Sequence, residues 1–85
     1  MRTLVHEMRG LPLWLLREYL VELGGRAVDE TTVAGEAWRA RLTRLEPFRL
    51  GSLEVGQVRL ELEIEEAQAD AFMARFDLKT LRAGG

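Results

Sequence analysis

The chain has 85 residues, 47% of them hydrophobic and 31% charged, with a net charge of −2, which is the composition of one globular domain with a small core. It has no cysteine, so disulfides, thiolate catalysis and Cys-ligated zinc are excluded. The slight negative charge argues against a general nucleic-acid binder or a polybasic membrane anchor.

Thr3–Arg9 alternates Leu4, His6 and Met8 with Thr3, Val5 and Glu7 and reads as a strand, broken by Gly10. Pro12 suits the first turn of a helix. From Leu13 the residues Leu13, Leu16, Leu20 and Leu23 follow helical spacing, widened by Leu15 and Tyr19, and Gly24-Gly25 supplies a left-handed stop. The apolar run Leu11–Leu16 ends at Arg17-Glu18, too early for a signal-peptide core, and no stretch reaches the roughly 18 apolar residues of a membrane span. A cytoplasmic protein is therefore expected.

The period then changes to two. Ala27–Ala34, β-branched at Val28, Thr31, Thr32 and Val33, reads as a second strand. Glu36–Leu45 alternates Trp38, Ala40 and Leu42 with Arg39, Arg41 and Thr43, then slips at Arg44-Leu45, the mark of a bulge or a strand end. Pro47 suggests an edge or turn. Arg49–Val55 is interrupted by Gly51-Ser52, and Gly56-Gln57 fits a two-residue hairpin turn. Val58–Glu65 puts Val58, Leu60, Leu62 and Ile64 inward and Arg59, Glu61, Glu63 and Glu65 outward. Ala69, Phe72, Met73 and Phe76 return to helical spacing, which predicts a helix ending near Phe76–Leu78 and a flexible tail from about Lys79.

The order β-α-β(4)-α predicts an α+β domain: an antiparallel sheet with two amphipathic helices on its apolar face and a wet opposite face. On that wet face Arg39/Arg41 and Glu61/Glu63 would be acceptable cross-strand neighbours.

The opening run from Met1 to Gly25 resembles a small domain family of thermophilic bacteria that also occurs fused behind a sulfur-carrier domain similar to the small subunit of molybdopterin synthase. The resemblance covers nearly the whole chain. It implies a TATA-binding-protein-like β-α-β(4)-α fold and a loose association with sulfur-carrier or molybdenum-cofactor metabolism, and it brings no catalytic motif. Eleven arginines against one lysine, with no asparagine, suit a thermophile as well as a GC-rich genome.

Little catalytic material is present. The single serine, Ser52, and the single histidine, His6, would have to form any triad, yet they sit in separate strand regions with no oxyanion loop nearby. Glu61, Glu63 and Glu65 share one strand face with Glu54 near them, but same-face residues about 6–7 Å apart do not converge on one ion. Glu7, Asp29, Glu30 and Glu36 offer carboxylates for acid–base work without a sign that any is desolvated. Residues 36–49 carry four arginines against two glutamates, interleaved with Trp38 and Phe48, while residues 54–70 carry one arginine against six acids. A phosphate backbone would meet both, which weighs against nucleic acid; Trp38 is expected in the core.

What remains is recognition, and a non-catalytic domain that binds another protein or itself, with no cofactor and no metal, is expected. Trp14, Arg17 and Val21 on the shoulder of the first helix are the candidate contacts, with Arg39, Arg41 and Arg59 on the wet face for an anion, and an open sheet edge near Pro47–Val55 for self-association. The alternative is a carrier activated at its C-terminal Gly84-Gly85, as in sulfur carriers, although those have a β-grasp fold that opens with a hairpin. A small-ligand binder with an apolar cavity between helix and sheet is a third class.

Overall fold

The computed structural model describes residues 1–84, with side chains as far as Leu81. Among these residues the elements are β1 (Arg2–Arg9), α1 (Leu13–Glu22), β2 (Arg26–Ala27), β3 (Thr32–Ala34), β4 (Trp38–Leu50), β5 (Leu53–Ile64) and α2 (Glu66–Gly84). The strands make one open sheet in the order β1-β5-β4-β3-β2, every pairing antiparallel. The fold is α+β.

The core follows from two periodicities meeting. Leu13, Leu16 and Leu20 line one side of α1 and are buried, with Leu23 just beyond them. On β5 Val58, Leu60, Leu62 and Ile64 are buried, and register sets Ala40 opposite Leu62 and Leu42 opposite Leu60. Ala69, Phe72 and Phe76 of α2 close the same cluster, so both helices cover one face of the sheet. Each fully buried leucine there contributes about 1.5–3 kcal/mol. Trp38 packs at the rim of this core against Phe72, ring centroids 4.8 Å apart. Gly25 and Gly35 lie so close to its indole that a Cβ at either position would collide with it.

The end of α1 is a Schellman turn: Gly24, at φ +105°, donates to the Val21 carbonyl and Gly25 donates to that of Leu20. The wet face is also as expected, with Arg39 opposite Glu63 and Arg41 opposite Glu61.

Four boundaries differ from the sequence expectation. Ala27–Ala34 is a small hairpin rather than one strand, because the Asp29 carboxylate accepts the Thr31 backbone N–H at 2.8 Å and turns the chain at residues 28–31. The long hairpin turns at Gly51-Ser52, where Leu50 pairs with Leu53 and Gly51 takes φ +63°; Gly56-Gln57 lies inside β5. Pro47 does not end a strand or make a turn, but it does lie on an edge, in the part of β4 beyond its pairing with β3. It sits within β4 at a bulge between Leu45 and Phe48, where its missing N–H leaves no ladder bond unmade. The Gln57 side chain donates to the Glu46 carbonyl at that bulge and accepts from Arg9 Nε. Finally, the predicted tail from Lys79 is helical through Gly84. Lys79 reaches Glu22 at 3.6 Å, and the Thr80 hydroxyl donates back to the Phe76 carbonyl. Apolar spacing underestimated α2 because its last turns carry exposed Leu78 and Leu81 instead of a buried stripe.

Candidate partner-binding groove

Helical spacing sets Trp14 and Arg17 three residues apart on one side of α1, next to the buried Leu13. Across from them β3 stops early. Its pairing with β4 covers only Thr32–Ala34 against Arg39–Arg41, extended by one bond from the Leu42 N–H to the Thr31 carbonyl at 2.7 Å. Alternation along an antiparallel strand then aims the main-chain N–H and C=O of Arg44 outward on the same side, where β3 no longer reaches. Among the described residues the edge of β4 from Thr43 onward is therefore a strand edge without a neighbour on that side.

The β2–β3 turn forms the end wall. Asp29 holds it through the Thr31 backbone N–H and hydroxyl, and its carboxyl lies below the ordinary carboxylate range. The Thr31 backbone N–H is the chief cause, opposed by some loss of hydration and reinforced by the Thr31 and Thr32 hydroxyls. Arg17 Nη1 donates to the Glu30 carbonyl at 2.9 Å and so ties the turn to α1. Between helix, turn and strand edge lies a groove of about 410 Å³, lined among others by Trp14, Arg17, Glu30, Thr31, Arg41 and Arg44. Arg17 and Arg44 border it with Glu30, and β4 brings Arg41 to its margin, in a chain whose net charge is −2. Trp14 is 55% exposed at its rim.

Trp14 and Arg17 of the sequence-based candidates thus come together, with Arg41 at the margin of the groove on β4. Val21 is exposed farther along α1, over a shallow depression that Arg17 shares. Arg39 and Arg59 do not join the groove. They lie on the open sheet face, Arg39 opposite Glu63 and Arg59 at 3.6 Å from Glu7, so carboxylates accompany the arginines of that face. Gly84 is the last residue of α2, and Gly85 lies outside the described residues. Sequence reasoning missed Arg44 and the Glu30-Thr31 wall. The Asp29-x-Thr31 spacing was the readable sign of the turn, whereas the outward edge at Arg44 depends on where β3 ends.

Other candidate chemistry stays dispersed. Ser52 is in the hairpin loop and His6 pairs with Leu60, eight rungs away or roughly 27 Å at the rise of a strand. Among the described residues no three His, Asp or Glu side chains converge as metal ligands, and no helix is long and apolar enough to cross a membrane. A second hollow of about 370 Å³ lies between the end of α1 and α2, lined by Trp38, Phe72, Glu36 and Arg75 among others. Among the described residues no buried side-chain nitrogen or oxygen lacks a partner.

A search of curated proteins finds no match to the chain. The family model described as archaeal MoaD-like protein matches residues 4–85, from β1 through both helices. With nearly every residue inside that match, the chain belongs to the archaeal MoaD-like protein family.

Proposed function

We propose that this member of the MoaD-like family is a non-catalytic, cytoplasmic interaction domain serving sulfur-carrier or molybdenum-cofactor metabolism. Its groove takes an extended segment of a protein partner as an added strand on the free edge of β4. The observation that carries this reading is the juxtaposition of an unpaired strand edge at Arg44 with the exposed indole of Trp14 and the guanidinium of Arg17. Main-chain bonds to the edge supply affinity in such a mode, and flanking side-chain contacts supply selection. The arginines favour a segment with acidic residues. The β-α-β(4)-α order supports a TATA-binding-protein-like arrangement, which by itself carries no function.

Calorimetric titration with a sulfur-carrier protein tests the reading. Binding is expected for the native chain, with a loss of roughly tenfold or more for Trp14→Ala and a comparable loss for Arg44→Pro, which blocks the strand edge. Equal affinity of both variants and the native chain contradicts it.

Membership of the MoaD-like family supports a second reading, a carrier activated at Gly84-Gly85. Such a carrier would have to unwind the last turn of α2 to present Gly84-Gly85 as an extended arm. Deleting the two glycines separates the readings: it abolishes adenylation of a carrier and leaves groove binding unchanged.

A further inference from the structure

We propose that the open face of the sheet pairs with the same face of a second copy of this chain. Both helices cover the opposite face, so among the described residues no protein layer lies above the side chains on this one. Its rows run across the strands as Thr3–Glu63–Arg39, Val5–Glu61–Arg41, Glu7–Arg59–Thr43 and Arg9–Gln57–Leu45. Beyond the bulge follow Val55–Phe48 and Leu53–Leu50. One end of the face is charged and the hairpin end is apolar, with Leu50 and Leu53 each 65% exposed. Arg9 lies over the Phe48 ring at 3.9 Å and joins the two halves.

This pattern complements itself. Consider a two-fold axis parallel to the strands, passing between β4 and β5. It lays the β4 column of one copy over the β5 column of the other at the same rung. Arg39 then faces Glu63 of the second copy and Arg41 faces Glu61, while Phe48 meets Val55 and Leu50 meets Leu53. An isologous contact has this form, each residue pair occurring twice. Face-to-face sheets sit about 10 Å apart, a gap that an extended arginine and glutamate together bridge. The mean rotation of about 30° between packed sheets shifts the outer rows, but the columns beside the axis stay opposite.

Size fits as well. At about 4.8 Å between strands and about 3.4 Å per residue, the three long strands lay out roughly 550 Å² of projected face before side-chain relief is added. That is of the order of the about 800 Å² each partner contributes to a standard interface. The apolar hairpin end supplies the burial, and the charged columns set register and reject a slipped pairing.

Sedimentation equilibrium on the full chain tests this, at concentrations up to about 1 mM, where weak association still registers. A mass rising with concentration toward twice 9.7 kDa is expected. The double variant Arg39→Glu/Arg41→Glu makes these two rungs all acidic, and Glu61→Arg/Glu63→Arg makes them all basic. Each alone should dimerise at least roughly a hundredfold more weakly, because like charges then meet across the interface, and an equimolar mixture of the two should recover the dimer. Should either fail to fold by circular dichroism, Leu50→Glu/Leu53→Glu at the exposed hairpin end gives the same loss without touching the core. A chain that stays monomeric throughout overturns the proposal. So does a dimer that survives the face variants but is abolished by Arg44→Pro, which would assign association to the strand edge.

Discussion

The same strands build both faces of the sheet, and the two faces are opposites. On one, Leu42, Leu60, Leu62 and Ile64 are sealed under α1 and α2. On the other, one residue away along each strand, Arg39, Arg41, Glu61 and Glu63 stand in matched columns with no helix above them. A period of two lets one strand serve two purposes, and a slip of one residue would exchange them. The covered face carries the stability of the fold. The uncovered face and the edge of β4 beside it are the surfaces proposed for recognition, and substitutions should sort by face.

The largest contrast is expected between neighbours on β5. Leu62→Ala removes a fully buried side chain and should cost about 2–5 kcal/mol, whereas Glu61→Ala should stay within about 0.5 kcal/mol. Chemical denaturation of the two variants checks this. Next comes Gly35→Ala, which drives a methyl group into the Trp38 ring and should cost about 1–3 kcal/mol, with a changed near-ultraviolet signal from Trp38. Gly51→Ala forces an ordinary residue to φ +63° at the hairpin turn and should cost about 1–2 kcal/mol. That loss should appear as faster amide exchange at the hairpin tip, while the helix-covered core is unaffected.

The smallest effect concerns the turn that walls the groove. The Asp29 carboxyl is lower in the folded chain than its ordinary value, chiefly through the Thr31 backbone N–H, so it ionises more readily folded than unfolded. Its stabilising contribution is therefore present above the unfolded pKa of about 3.9 and is lost as pH falls through the lower folded value. Amide exchange at Thr31, corrected for its intrinsic pH dependence, should lose protection below about pH 4, and Asp29→Asn should remove that transition. An unchanged acid transition in Asp29→Asn would show that another group governs the turn.

Much of this contrast could be read from the chain. The alternation in Val58–Ile64 and the opposite signs on Arg39/Arg41 and Glu61/Glu63 fixed both faces, because side-chain parity is local. The stop at Gly24-Gly25 was legible for the same reason. The turn of the long hairpin was not. Gly51-Ser52 and Gly56-Gln57 are both glycine dipeptides between alternating runs, and only the register shows that Gly51 needs a positive φ. Strands of 13 and 12 residues also exceed the usual length of about 5–6, so a break was expected where none occurs. The helical half of the groove, Trp14 and Arg17, was visible from helical spacing. Its strand half was hidden, because Arg44 faces outward only through the early end of β3, a fact of tertiary pairing.

Residue-resolved hydrogen exchange at β4 tests the recognition account most directly. In the free chain the Leu42 amide, bonded to the Thr31 carbonyl, should be protected and the Arg44 amide should exchange freely. On adding a sulfur-carrier protein, Arg44 should become protected while Leu42 is unchanged, the signature of a strand added at that edge. Protection of Arg44 before any partner is present, or free exchange at Arg44 in a formed complex, would contradict the account.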